Sequence, residues 1–338
     1  MQRPKTGDDA FIEDTYFAPH FGTIEFLRRL RDDQLSVLVP ELFDRNMLAF
    51  NHLFLHGFLI NKPEYIEHVL LTNHTNYTKS HFLRRMLGPL LGDGLLISEG
   101  EFWRRQRRIL APAFHHKRIS DYVNTMVVCT EATMARWRTI TRPFDVAAEM
   151  MALTLSIIAR TMFSTDVSGE VEIVRRLMEV VVNFRPSVVD ILGLPEWLPR
   201  LKPMAYRRAI AKFEALVWRL LADRRAKEVD QGDLLSMLLT ARDPETGDGM
   251  SNKEIRNEIL TIFLAGHETT AVALSWSWYL LAQHPRAEAK LHDEVDRVLG
   301  GRMPNYADLV ELKWARMVIE EALRLYPPAY RIVRTAVG

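Results

Sequence analysis

Apolar positions recur at three- and four-residue spacing along most of the chain, which predicts helix nearly throughout. Gly22-Thr23 opens the first such segment, Ile24 to Leu38. Met47 to Ile60 departs from that rhythm and reads as two short strands around His56-Gly57, closed by Asn61-Lys62-Pro63. Pro63 then starts a short helix over 64–70, followed by a loop punctuated by Gly88, Gly92 and Gly94. Ser98 and Glu101 form a capping-box pattern introducing a helix that ends before Pro112. Further helices are predicted over 118–140, 146–163 with Asp145 as N-cap, 169–184, 204–228 and 233–242. Residues 186–203 carry Pro186, Pro195, Pro199 and Pro203, a long surface connection of the kind that often bears function. Asp243 to Gly249 is a turn. A second capping box, Ser251 and Glu254, opens a helix running to Gln283, about 50 Å at 1.5 Å per residue. Pro285 begins another helix, closed by Gly300-Gly301, and a last one over 313–325 stops at Pro327-Pro328.

The predicted fold class is therefore mainly α with a small N-terminal β-sheet. No shift in composition marks a linker, so residues 1–338 read as a single domain. Hydrophobic residues at 48% and charged residues at 26% exclude a disordered or collagen-like chain. One cysteine excludes an internal disulfide framework, a cysteine-rich zinc site and an iron–sulfur cluster held within these residues. A net charge of +1 gives no electrostatic case for nucleic acid or an anionic membrane surface. The N-terminal residues lack the apolar run of a signal peptide or membrane anchor, which makes the cytoplasm the default location. The most apolar stretch, Ile259 to Ala282, is cut in its middle by His267 and Glu268 and reads as a buried helix with something polar at its centre.

Three constellations could carry chemistry. Ala265-Gly266-His267-Glu268-Thr269-Thr270 places a glycine, an acid and hydroxyls inside an apolar helix, each locally unfavourable. Such conflicts mark functional sites, or else a kink with a satisfied core carboxylate. Trp103 and Arg107, four apart, put an indole N–H and a guanidinium on one helix face, two donors suited to a carboxylate or phosphate. The plainer reading is an amphipathic helix with a solvated basic side. Glu321 and Arg324, at i and i+3, pair locally, a common surface feature.

In this order the three together resemble the cytochrome P450 family. Ala265 to Thr270 resembles its central-helix oxygen-activation motif, Glu321 and Arg324 its Glu-x-x-Arg pair, and Trp103 to Arg107 its haem-propionate helix. The resemblance covers nearly the whole chain. It implies a bacterial-type haem monooxygenase that inserts one oxygen atom from O2 into a hydrophobic organic substrate. Glu268 and Thr269 would be the acid–alcohol pair that delivers protons to dioxygen. Ala265, Gly266 and Thr270 would line the haem. Trp103 and Arg107 would hold a propionate, with Arg334 as a third contact and Arg331 competing for that place. Glu321 and Arg324 would be structural. The cofactor implied is heme b, reduced by a separate ferredoxin or flavodoxin-type donor and ultimately by NAD(P)H, with Arg104, Arg105 and Arg108 helping the donor dock. Residues around 75–95, 165–205 and 258–270, with His81, Phe82, Phe184 and Phe263 among them, would line an apolar substrate pocket.

The family's iron ligand is a cysteine in a loop after the Glu-x-x-Arg helix. The one cysteine here, Cys129, lies upstream of the central helix and reads as a small buried apolar residue. The expected axial cysteine therefore falls beyond Gly338, and the fold would be incomplete at the C-terminus. On that reading the chain is a fragment that neither binds haem tightly nor catalyses, and it should expose an apolar face and leave Glu321 and Arg324 as incompletely compensated buried charges. The alternatives are a non-catalytic helical remnant without haem, or a family member that uses peroxide or rearranges its substrate.

Overall fold

The computed structural model describes residues 15–17, 25, 28–29, 32, 34–37, 45–52, 55–163, 204–227 and 230–337. The expected helix 169–184 and the proline-rich connection lie outside the described residues. The chain divides into two compact units, Met1–Pro89 with Asn183–Tyr206 and Val333–Gly338, and Leu90–Val182 with Arg207–Ile332.

The first unit holds the sheets. Strand β1 (Thr15–Phe17) pairs in parallel with β2 (Met47–His52), which pairs antiparallel with β3 (Leu55–Ile60). Met47, Leu48 and Ala49 of β2 are buried. The sequence placed the break between strands at His56-Gly57, but the register joins His52 to Leu55. Those two residues belong to β3, because glycine in a strand interior does not by itself end pairing. Helix α1 (Pro63–Glu67) begins on a proline at its first turn, where the missing N–H costs nothing, and widens into a π-type turn over His68–Thr72. Strand β4 (Tyr77–Lys79) pairs with a strand 257 residues away in sequence, β5 (Arg334–Ala336). No local pattern foreshadows such a pairing.

Residues 81–91, read from sequence as part of a glycine-punctuated loop, form helix α2 (His81–Leu91) with Pro89 inside it. Phe82, Leu83, Met86, Leu87, Leu90 and Leu91 keep helical spacing, and that stripe outweighs the Gly88-Pro89 punctuation.

The second unit is helical. Helices α3 (Gly100–Leu110), α4 (His116–Trp137) and α5 (Val146–Phe163) precede α6 (Met204–Lys227) and α7 (Leu234–Thr240). Then come α8 (Asn252–Gln283), α9 (Pro285–Leu299) and α10 (Lys313–Leu325). The ends follow the predicted caps in most places. Asp145 Oδ1 accepts from the amides of Ala147 and Ala148 at 2.9 and 3.2 Å. Ser251 and Glu254 complete a capping box on α8, and Gly300 ends α9 with φ of 55°. The Ser98–Glu101 box does not form. The N-cap of α3 is Glu99, so Ser98 lies one residue too early, and Glu101 instead pairs with Arg104.

The long central helix α8 packs along α5, with α4 behind α5. Cys129 of α4, Met150 and Leu153 of α5 and Ala271 of α8 share one buried cluster, flanked by Trp137 and Leu274. Phe263 of α8, 1% exposed, meets Phe213 of α6 edge to face at 5.2 Å between ring centroids. Both α5 and α8 are long and apolar enough to span a membrane by length and composition. They nevertheless bury polar side chains, among them Thr154, Arg256, Glu258 and His267, within the helix pack.

Candidate functional site

The Ala265–Thr270 segment falls in the middle of α8, as its sequence position implies. The helical period of 100° per residue sorts it into two sides. Phe263, His267 and Ala271, at four-residue steps, are buried, whereas Ala265 and Thr269 on the opposite side are exposed. Thr270 is also exposed. An open side of small residues therefore interrupts a core helix.

Thr269 donates its hydroxyl to the carbonyl of Ala265 at 2.6 Å, the backward bond that hydroxyl residues make inside helices. Glu268 is half-buried, and burial alone pushes its carboxyl above the ordinary carboxylate range. Among the described residues no hydrogen bond or ion pair holds it, so it is a carboxyl with a raised proton affinity beside an accessible hydroxyl. Gly266 lies on a third side. A Cβ there would meet Ile158 Cδ1 of α5 at 3.4 Å, an ordinary van der Waals distance.

Helix α3 is fastened to the start of α8. Arg105 Nη1 donates to Glu254 Oε1 at 2.8 Å and its Nη2 to the carbonyl of Gly249 at 2.6 Å, and Gln106 reaches the same carboxylate at 3.2 Å. Arg108 pairs with both oxygens of buried Asp243, at 3.1 and 3.0 Å, and with Glu245. These pairings revise the expectation that Arg105 and Arg108 face a redox partner. Both are committed to internal carboxylates, and Arg104 is paired with Glu101. Arg107 differs. It is exposed, its guanidinium stands 5.4 Å from the centre of the Trp103 ring, and it has no carboxylate partner among the described residues. Trp103 and Arg107 are thus brought together as predicted.

Arg334 lies exposed in β5, in the first unit, and Arg331 sits 5.9 Å from the centre of the Tyr330 ring. Glu321 and Arg324 form two 2.7 Å bonds. Arg324 lowers the carboxyl of Glu321 below its usual range. The pair is not buried: its side chains are 54% and 66% exposed, which overturns the sequence reading of buried charge. The expected apolar exposure is present nearby, at Trp278 and Tyr279 of α8 and at Met317, Ile319 and Leu323 of α10. Of the predicted pocket residues, Phe184 is outside the described residues, His81 and Phe82 lie on α2, and Phe263 is core.

Sequence reasoning missed the polar groups that bind elements to the central helix. Glu258, fully buried, accepts from the amide of Leu95 at 3.1 Å. His267 and Thr154 link α8 to α5, with His267 Nε2 3.1 Å from the carbonyl of Met151 and Thr154 Oγ1 3.1 Å from the carbonyl of His267. A polar residue on the apolar stripe was the available signal, but its partner on another helix was not.

A family profile described as cytochrome P450 matches residues 18–337. The chain belongs to the cytochrome P450 family. It is 43% identical over 276 residues to cyclooctatin synthase of Streptomyces melanosporofaciens, an overlap of 81% of this chain and 60% of that protein. It is 37% identical to cyclooctat-9-en-7-ol 5-monooxygenase of the same organism, over 82% of this chain and 60% of that protein. It is 35% identical to pentalenene oxygenase of Streptomyces avermitilis, over 80% of this chain and 60% of the relative. The chain thus spans about three fifths of the length of these curated relatives.

The family implies haem. Two groups present would suit it: the segment of small exposed side chains with a carboxyl that has no partner among the described residues, and a guanidinium over an indole with no carboxylate partner among them. Cys129 does not fit the axial side. It is 4% exposed in the α4–α5–α8 cluster, and burial raises its thiol pKa, which opposes the thiolate a metal needs.

Proposed function

We propose that the chain forms the distal and propionate-binding part of a haem monooxygenase that oxygenates a hydrophobic, terpenoid-type molecule. The observation that carries the reading is half-buried Glu268, held by no hydrogen bond or ion pair among the described residues, beside exposed Thr269 in the middle of the central helix. The relatives' names support the substrate class. Haem, when bound, supplies the redox chemistry on dioxygen.

The protein's own part is proton handling and anchoring. Burial keeps Glu268 protonated to higher pH than a free carboxyl, so it holds a proton that an exposed acid would release. The Thr269 proton rests on the Ala265 carbonyl and leaves the oxygen lone pairs free to accept one from elsewhere. The Arg107 guanidinium, held over Trp103, would offer donors to a carboxylate, and Ala265, Gly266 and Thr270 would line the haem. Glu321 and Arg324 brace α10. The electron donor is a separate protein of ferredoxin or flavodoxin type drawing on NAD(P)H, and the site of action is the cytoplasm.

The test is haem titration into the chain. Uptake is expected to weaken about tenfold or more in Arg107→Leu, the scale of a charge-assisted hydrogen bond. With Cys129 buried, the reduced carbon-monoxide complex should lack thiolate-type absorption. Haem uptake indifferent to Arg107→Leu and to Trp103→Phe would sink the reading.

A further inference from the structure

The two polar contacts between α5 and α8 meet at one residue. His267 is 4% exposed and directly precedes Glu268. Its Nε2 lies 3.1 Å from the Met151 carbonyl, which can only accept, so Nε2 carries the proton and Nδ1 is bare. That Nδ1 is buried and has no hydrogen-bond partner among the described residues. Burial holds the ring's pKa below its ordinary value, against the opposing pull of the Met151 carbonyl, so the ring is neutral at pH 7. In the reverse direction, Thr154 Oγ1 lies 3.1 Å from the His267 carbonyl and 2.9 Å from that of Met150. One hydroxyl proton is therefore divided between its own helix and α8.

A leucine would fill this core position without a bare, desolvated nitrogen. What the histidine adds is direction. Opposed bonds at a single residue fix both the rotation and the height of α8 against α5. With side chains 100° apart, holding His267 inward sets where Glu268 and Thr269 point. We propose that His267 and Thr154 are positioning residues, a two-way clamp that locks the rotation of the central helix so that Glu268 stays half-buried beside the exposed Thr269. The significance of the clamp rests on the proton-handling role proposed for that pair, but its existence is read without haem.

The experiment uses the haem-free chain with His267→Leu, His267→Gln, Thr154→Val and Thr154→Ser. Glutamine keeps a donor near the Nε2 position, and serine keeps the hydroxyl. Two signals are read: amide hydrogen exchange over residues 265–271 against α9 as internal control, and titration of the Glu268 carboxyl by carbon NMR, assigned with Glu268→Gln. His267→Leu and Thr154→Val are expected to speed local exchange about fivefold, the scale of one net hydrogen bond, without affecting α9. They should also move the Glu268 titration down toward the ordinary carboxylate range as the helix turns it to solvent. His267→Gln and Thr154→Ser should do neither. The clamp is refuted if leucine and glutamine behave alike, or if exchange rises equally in α9 while Glu268 titrates unchanged. Should His267→Leu fail to fold, Thr154→Val decides by the same readings. Loss of haem uptake by the unaltered chain would overturn the proposed function and leave these signals intact, so the two failures are distinguishable.

Discussion

Gly94 offers the sharpest test of how the segment leading into α3 is seated on the central helix. A Cβ at Gly94 would lie 2.0 Å from Thr261 Oγ1 and 3.0 Å from the Asn257 carbonyl, both on α8. Thr261 is 5% exposed, and its hydroxyl is tied back to the Asn257 carbonyl at 2.8 Å, so the obstacle has little room to retreat. Gly94→Ala must then push the segment outward, and overpacking of this kind costs about 1–3 kcal/mol. The displacement strains the Leu95 amide's bond to Glu258 and the bonds from Ile97 and Ser98 to the Gly94 carbonyl. Hydrogen exchange at Leu95, Ile97 and Ser98 should report the loss. Adding Thr261→Ala removes the nearest obstacle, and the double variant should recover most of the loss, a coupling of about 0.5–3 kcal/mol. Gly88→Ala is the control. Nothing beyond its chain neighbours lies within 4 Å of its added Cβ, and the helical gain of alanine is opposed by the following Pro89, so it should stay within about 0.5 kcal/mol of the parent. The reasoning fails if Gly94→Ala stays within about 0.5 kcal/mol of the parent, or if Thr261→Ala does not relieve it.

Three further outcomes are expected. Glu268 has a folded pKa above its unfolded 4.5, so its contribution to stability is complete below 4.5 and is lost as pH rises through the folded value. Glu268→Gln should therefore match the parent in urea near pH 4 and exceed it near pH 8, and equal stabilities at both would contradict the burial argument. Arg224, 7% exposed, bonds Asp233 at 2.6 and 2.7 Å, and Arg224→Met leaves that buried carboxylate uncompensated, a loss of about 3–5 kcal/mol by denaturant melt. Asp308 is lowered to about 2 by Arg302 and the Asn305 amide, so its contribution, full above 3.8, should fade as pH falls through about 2, and Asp308→Asn should remove that window from an acid titration.

Much of the second unit was legible in the sequence because its signals are local. The capping box at Ser251, the αL glycine at Gly300 and the aspartate cap at Asp145 each act within one helical turn. Where competing local signals overlapped, reading failed. Gly88-Pro89 masked an apolar stripe, and Ser98 mimicked a cap one residue early. Long-range partners left no trace in either direction. The β4–β5 pairing and the contacts of Glu258 and Thr154 were invisible, and Arg105 and Arg108 looked like a solvated face until Glu254 and Asp243 were placed beside them. In the Ala265–Thr270 segment, the sequence showed the local costs but not how they were met.

Those costs are met by dividing the segment by side. Glycine, acid and hydroxyl would each weaken a helix buried all round. Here the hydroxyl bonds to its own helix at Ala265, and the glycine is set against Ile158. Among the described residues no hydrogen bond or ion pair holds half-buried Glu268, and burial raises the proton affinity of its carboxyl. Pairing it with a nearby cation would stabilise the fold and would also lower that affinity. A helix selected for stability alone would have made that pairing or replaced the acid. A carboxyl left without a partner among the described residues, next to a hydroxyl already satisfied by its own helix, is what a proton-handling role requires.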